Sequence, residues 1–66
     1  MEIKLYYLGY FESEYKGQTY KVYRFIDPSS LTIIYGSNLN ANLKENSIVN
    51  CKIGIKRNKL VVEEII

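Results

Sequence analysis

The stretch IKLYYLGYFE, residues 3–12, decides the fold. Successive side chains on a strand point to opposite faces. Ile3, Leu5, Tyr7, Gly9 and Phe11 therefore share one face, and Lys4, Tyr6, Leu8, Tyr10 and Glu12 share the other. Both faces are partly apolar, and Gly9 interrupts them midway, where a bulge or sharp bend is expected. A long first strand that bends at a glycine can serve two sheets at once, as a small barrel demands.

The same alternation continues outward from this stretch. Residues 13–18 (SEYKGQ) read as a polar turn around Gly17, and 19–27 (TYKVYRFID) as a second strand ended by the turn signal Asp27-Pro28-Ser29-Ser30. A third strand spans 31–36. Residues 37–46, with four asparagines, form a polar connection with space for one helical turn. The fourth strand covers 47–56, Arg57-Asn58-Lys59 turns the chain, and the fifth covers 60–66. Five short strands in one domain, 1–66, imply an all-β fold. The reading is a small five-stranded OB-fold-like barrel, with an SH3-like barrel as the alternative. The glycine-bent first strand, the longest connection between strands three and four, and the closing hairpin favour the OB-fold.

Composition narrows the function classes. The hydrophobic fraction of 47% fits a folded globule rather than a disordered chain. No apolar run approaches the roughly 20 residues of a membrane span, and MEIKLYY starts a strand pattern without a signal peptide's regions. A cytoplasmic location is expected, with no membrane partner. Cys51 is the one cysteine, so no internal disulfide forms and a reducing compartment fits. It alternates with Val49, Ile53 and Ile55 and reads as a buried strand residue. A chain of 66 residues buries only about 60% of its unfolded surface, so a second subunit would help it.

Seven tyrosines, with no tryptophan, all fall within the first 35 residues. So many rings exceed what one face of a small barrel buries, and some must lie outside among Lys4, Lys16, Lys21 and Arg24. Exposed rings beside cations suit the stacking of unpaired bases and the neutralisation of phosphates. Strands also accept tyrosine as an ordinary residue.

On the second strand, Tyr20, Val22, Arg24 and Ile26 share one face, and Thr19, Lys21, Tyr23 and Phe25 the other. With Val22 and Ile26 inward, the outer face reads Lys21, Tyr23, Phe25: a cation and two rings spaced about 6–7 Å apart. This exposed ladder is the expected site. The opposite register makes Tyr23 and Phe25 core, with Tyr20 and Arg24 outside. OB-folds bind oligonucleotides across strands two and three, and Tyr35 would extend the surface on strand three. Net charge is only +2. Cations concentrate late, where Lys44, Lys52, Lys56, Arg57 and Lys59 meet only Glu45. Four phosphate contacts there would give a single-strand salt slope of roughly −2.8. Solvated lysines at a hairpin tip are equally ordinary.

The segment Lys16-Gly17-Gln18-Thr19-Tyr20 and the pattern of LKENSIVNCKIGIKRNKLVVEEII resemble the gene V-type single-stranded DNA-binding proteins of filamentous phages. The likeness spans residues 14–66 as pattern. It implies a homodimer that coats single-stranded DNA cooperatively during DNA replication, in the host cytoplasm if phage-encoded, with little sequence preference. It carries over Tyr20 as the loop tyrosine and Lys16 as its basic neighbour. The chain departs from the family in a shorter loop between strands three and four and a smaller basic excess. The resemblance puts Tyr20 on the binding surface, whereas the expected register puts it beside Val22 in the core. A bend at the start of strand two would reconcile them.

Catalysis is not expected. There is no histidine, and a single cysteine makes no zinc site within the chain. Glu63 and Glu64 are adjacent and point to opposite faces, Glu12 and Glu14 flank a loop, and the four glycines form no phosphate-cradling loop. No cofactor, metal or small-molecule substrate is expected. The reading is a single-stranded nucleic-acid-binding protein, DNA favoured, using Lys16, Tyr20, Lys21, Tyr23, Phe25, Tyr35, Lys52, Lys56, Arg57 and Lys59. The alternative is a small protein-interaction or regulatory module of phage or mobile-element type. Its partner would pair with the apolar last strand (Leu60, Val61, Val62, Ile65, Ile66) as a sheet edge.

Overall fold

The computed structural model describes residues 1–37, Leu39 and residues 42–66. Five strands, β1 (Glu2–Tyr15), β2 (Gln18–Asp27), β3 (Thr32–Ser37), β4 (Ile48–Lys56) and β5 (Lys59–Ile65), close a barrel in the order β1-β2-β3-β5-β4. Neighbours are antiparallel except β3 and β5, which pair in parallel at Tyr35↔Val61 and Gly36↔Val62. Inserting β5 between β3 and β4 is a Greek-key step that a simple meander lacks, so the barrel is OB-like rather than SH3-like.

The long first strand closes the barrel as its sequence implies. Glu2 to Tyr6 pair with β4, and Tyr6 to Tyr15 pair with β2. The register slips between Tyr7 and Gly9, where Leu8 is the extra residue of a bulge. Gly9 has φ of 107°, outside the range of ordinary side chains, and a Cβ there would meet Glu45 Oε1 at 2.8 Å. Gly36 serves a different need. A Cβ at Gly36 would meet the Val62 carbonyl oxygen at 2.9 Å, so the parallel β3–β5 seam depends on its absence.

β1 runs three residues past its expected end. Tyr15 pairs with Gln18 across the two-residue turn Lys16-Gly17, whose φ values of 52° and 77° mark a type I′ hairpin. Arg57-Asn58 makes a second such turn, with φ of 54° and 63°, and Lys59 already belongs to β5. Between β2 and β3, Asp27 Oδ1 accepts from the Ser29 N–H at 3.0 Å and the Ser29 hydroxyl at 2.8 Å. These bonds hold its carboxyl below the usual carboxylate range. The connection to β4 ends in a turn at Glu45-Asn46, and the Asn46 N–H donates to the Tyr7 carbonyl at 2.8 Å. The helical turn considered for 37–46 falls partly on positions 38, 40 and 41, outside the described residues.

The core holds Leu5, Tyr7, Tyr23, Phe25, Ile34, Leu39, Cys51, Ile53 and Val62. Tyr7 packs between Tyr23 and Phe25, with ring centroids at 6.1 and 5.4 Å. Burial raises the Tyr7 hydroxyl above its ordinary pKa, helped by Tyr23 and Glu45. The Cys51 thiol is fully buried, and desolvation pushes it up to about 11.

This core corrects the expected site. Tyr23 and Phe25 do not form an exposed ladder: Phe25 has no exposure and Tyr23 is buried. Cross-strand partners share a face, and Phe25 pairs with Tyr7 and with Ile34, both core residues. The alternative, Val22-Arg24-Ile26 inside, would bury a guanidinium and replace two core rings of β2 with smaller aliphatic side chains.

Candidate nucleic-acid interface

Once Tyr23 and Phe25 point inward, Tyr20, Val22, Arg24 and Ile26 point out. Pairing continues this outer surface across the sheet, with Phe11 opposite Val22, Val22 opposite Ser37, and Arg24 opposite Tyr35. Phe11 and Tyr35 meet edge to face over β2, centroids 6.4 Å apart. Tyr20 and Tyr35 keep 37% and 46% of their surface exposed, so both are part-open to a ligand.

The β4–β5 hairpin rises beside this face and makes a groove. An open cleft of about 480 Å³ lies between Tyr20, Tyr35 and Ser37 on one wall and Ile55, Lys56 and Val61 on the other. It continues into a larger depression bounded by Tyr15, Arg57 and Lys59. Three tyrosines and three cations thus line one continuous surface. Both type I′ turns contribute to it, because each is short enough to hold its flanking residues, Tyr15 and Lys56 to Lys59, at the groove. Glu63 enters the same cleft, its carboxylate lying directly over Gly54.

Arg57 sits at φ 54°, a left-handed conformation that costs an ordinary side chain about 1–2 kcal/mol and that asparagine or glycine adopts readily. A cation is held there at a local cost.

Of the ten residues expected at the site, five converge: Tyr20, Tyr35, Lys56, Arg57 and Lys59. Tyr20 lies outward together with Val22, so the expected register, which put both in the core, is overturned, and no bend of strand two is needed to bring Tyr20 to the surface. Lys16 is at the rim, its Nζ 5.4 Å from the Tyr15 ring centroid. Lys21 is on the other face of the hairpin, 4.7 Å over the Tyr10 ring. Lys52 is in register with Glu2 on β1 and Glu64 on β5, away from the groove and among opposite charges. Tyr23 and Phe25 are core. The groove also holds Tyr15 and Glu63, which the sequence reading left out, and Phe11 packs on Tyr35 beside it. The spacing Phe11, Ser13, Tyr15 carries the signal for Tyr15 and Phe11, but it is visible only if the strand runs to the Lys16-Gly17 turn.

Comparison with protein-family models, with curated proteins and with solved structures gives no match.

Proposed function

We propose that this protein binds single-stranded nucleic acid, DNA in the first instance, with little sequence preference. One observation carries the reading: Tyr15, Tyr20 and Tyr35 share a groove with Lys56, Arg57 and Lys59 on the outer face of β2 and β3. Base–aromatic stacking contributes about 1–3 kcal/mol per base and tolerates any base, because every base has a π-face. The cations supply phosphate contacts without reading sequence. The role is binding, not catalysis.

A homodimer belongs to the same proposal. Ile48, Tyr6, Ile26 and Ile33 stand in register across β4, β1, β2 and β3 and form an outward apolar row, of which Ile48 is 60% exposed. A second copy laid on this row would cover it and repeat the groove along a strand, which raises avidity without new contacts. Replication-linked coating of DNA in a host cytoplasm is the setting that the gene V resemblance suggests. The rival, a module that binds a protein partner, draws on the same row. The last strand is not the sheet edge expected for that partner: β5 lies between β3 and β4 in the closed barrel, paired with β4 along its length and with β3 at Val61 and Val62.

The test is anisotropy titration of a labelled oligo-dT at 50 and 200 mM salt, with tyrosine fluorescence as a second signal. Three phosphate contacts predict a slope of about −2.1 or steeper and quenching on binding. Absence of binding at 50 mM salt refutes the proposal.

A further inference from the structure

Arg24 lies outside the groove and is not among the ten residues expected at the site. It is half-buried on the outer face of β2, between the bulge at Gly9 on β1 and Tyr35 on β3. Its Nε is buried and has no hydrogen-bond partner. A desolvated N–H of a charged group without an acceptor is costly; Nε itself is covered, so an anion would meet the terminal guanidinium nitrogens, which are not among the buried unpartnered atoms. Glu45, whose carboxylate lies over Gly9, is the acid on the β1 side, yet among the described residues no ion pair joins it to Arg24.

The surroundings specify the anion. Tyr35 is the direct cross-strand neighbour of Arg24, which places Cβ atoms about 5 Å apart. The Phe11–Tyr35 pair spans β2 one residue pair further along. A base stacked on Tyr35 in the groove therefore brings its backbone within reach of the guanidinium, and the next ring along the face is Phe11. Arginine suits this contact because its planar fork binds phosphate oxygens in pairs.

We propose that Arg24 is a fourth phosphate contact and directs the bound strand out of the groove, over Tyr35 and across β2 toward Phe11. This inference rests on the single-strand reading of the groove. The experiment compares the wild type with Arg24→Met and Arg24→Lys in oligo-dT titrations at 50 and 200 mM salt, with thermal melts of each. Four contacts predict about a 50-fold loss of affinity over that salt range, and three predict about 18-fold. Arg24→Met is expected to show the smaller loss and to melt at or above the wild-type temperature, since it removes the unpaired donor. Arg24→Lys is expected to keep the wild-type salt dependence. An Arg24→Met protein with unchanged salt dependence overturns the proposal. If it also melts well below the wild type, Arg24 is instead a packing residue of the outer face of β2. Failure of the wild type to bind at all refutes the groove reading itself, a result distinct from an Arg24 effect that is absent while binding persists.

Discussion

Replacing Phe25 and Tyr35 separately by alanine tests the assignment of the two faces. The residues sit on adjacent hydrogen-bonded strands, yet Phe25 has no exposed surface and Tyr35 keeps 46%. Phe25 touches Tyr7 at the centre of the barrel, so Phe25→Ala leaves a cavity and costs about 3–5 kcal/mol. A chain of this length is held by about 3–10 kcal/mol in all, at roughly 0.05–0.15 kcal/mol per residue. The variant is expected to be largely unfolded or to melt at least 12 °C lower, taking about 4–8 °C per kcal/mol. Tyr35→Ala removes a half-exposed ring and is expected to remain folded. Its loss appears in binding: about 1–3 kcal/mol of stacking, or roughly 5- to 160-fold in affinity for oligo-dT. Circular dichroism melts and anisotropy titrations of both variants decide the matter. A stable Phe25→Ala protein that has lost binding, beside a Tyr35→Ala protein with wild-type affinity, would reverse the faces and refute the reasoning.

Other perturbations act on single features. Arg57→Asn relieves the left-handed strain at the hairpin tip and is expected to raise the melting temperature by a few degrees. It should also flatten the salt slope by about 0.7, so a variant that binds like the wild type excludes Arg57 from phosphate contact. Glu63→Gln removes the carboxylate from the cleft. At about 8 Å in water the repulsion of a phosphate is roughly 0.5 kcal/mol, so a two- to threefold gain in low-salt affinity is expected and should vanish at high salt. Gly36→Ala drives a methyl against the Val62 backbone and is expected to lower stability measurably in urea titrations; a neutral result would mean that the β3–β5 seam can open at no cost. The Cys51 thiol titrates higher in the folded than in the unfolded chain, at about 11, so its contribution is intact below about pH 8.5 and is lost as pH rises toward 11. Stability of the wild type should therefore fall more steeply over that range than that of Cys51→Ala, and a thiol reagent should label the native protein only as fast as it unfolds.

Much of the barrel is legible in the sequence because the features concerned are local. Strand alternation, the glycine in the first strand, the Asp27-Pro28 turn and the tight last hairpin each depend on a few neighbouring residues. Even the end of β1 at Tyr15 is a local matter, hidden because SEYKGQ reads as polar when only its charges are weighed. The candidate site was legible in kind: tyrosines and late cations together were the signal, and Tyr20, Tyr35, Lys56, Arg57 and Lys59 do converge.

The inside and outside of β2 belong to another class of question. A period of two sorts Val22, Arg24 and Ile26 from Tyr23 and Phe25, but it does not say which set is buried. A one-residue slip in pairing exchanges the sets completely. Here the bulge at Leu8 and Gly9 sets the phase of β1 against β2, and β2 against β3 follows it. Filling a closed interior then selects the rings over the aliphatics, because only they occupy its volume, while Arg24 stays near solvent. The groove has the same origin. Tyr15 and Tyr20 lie some 40 residues before Arg57 and Lys59, and no local rule joins them. They meet because β5 inserts between β3 and β4, a long-range pairing that depends on close approach at Gly36. The sequence by itself determined the strands and the chemistry available to them; tertiary pairing alone decided which rings hold the barrel together and which are left to meet a ligand.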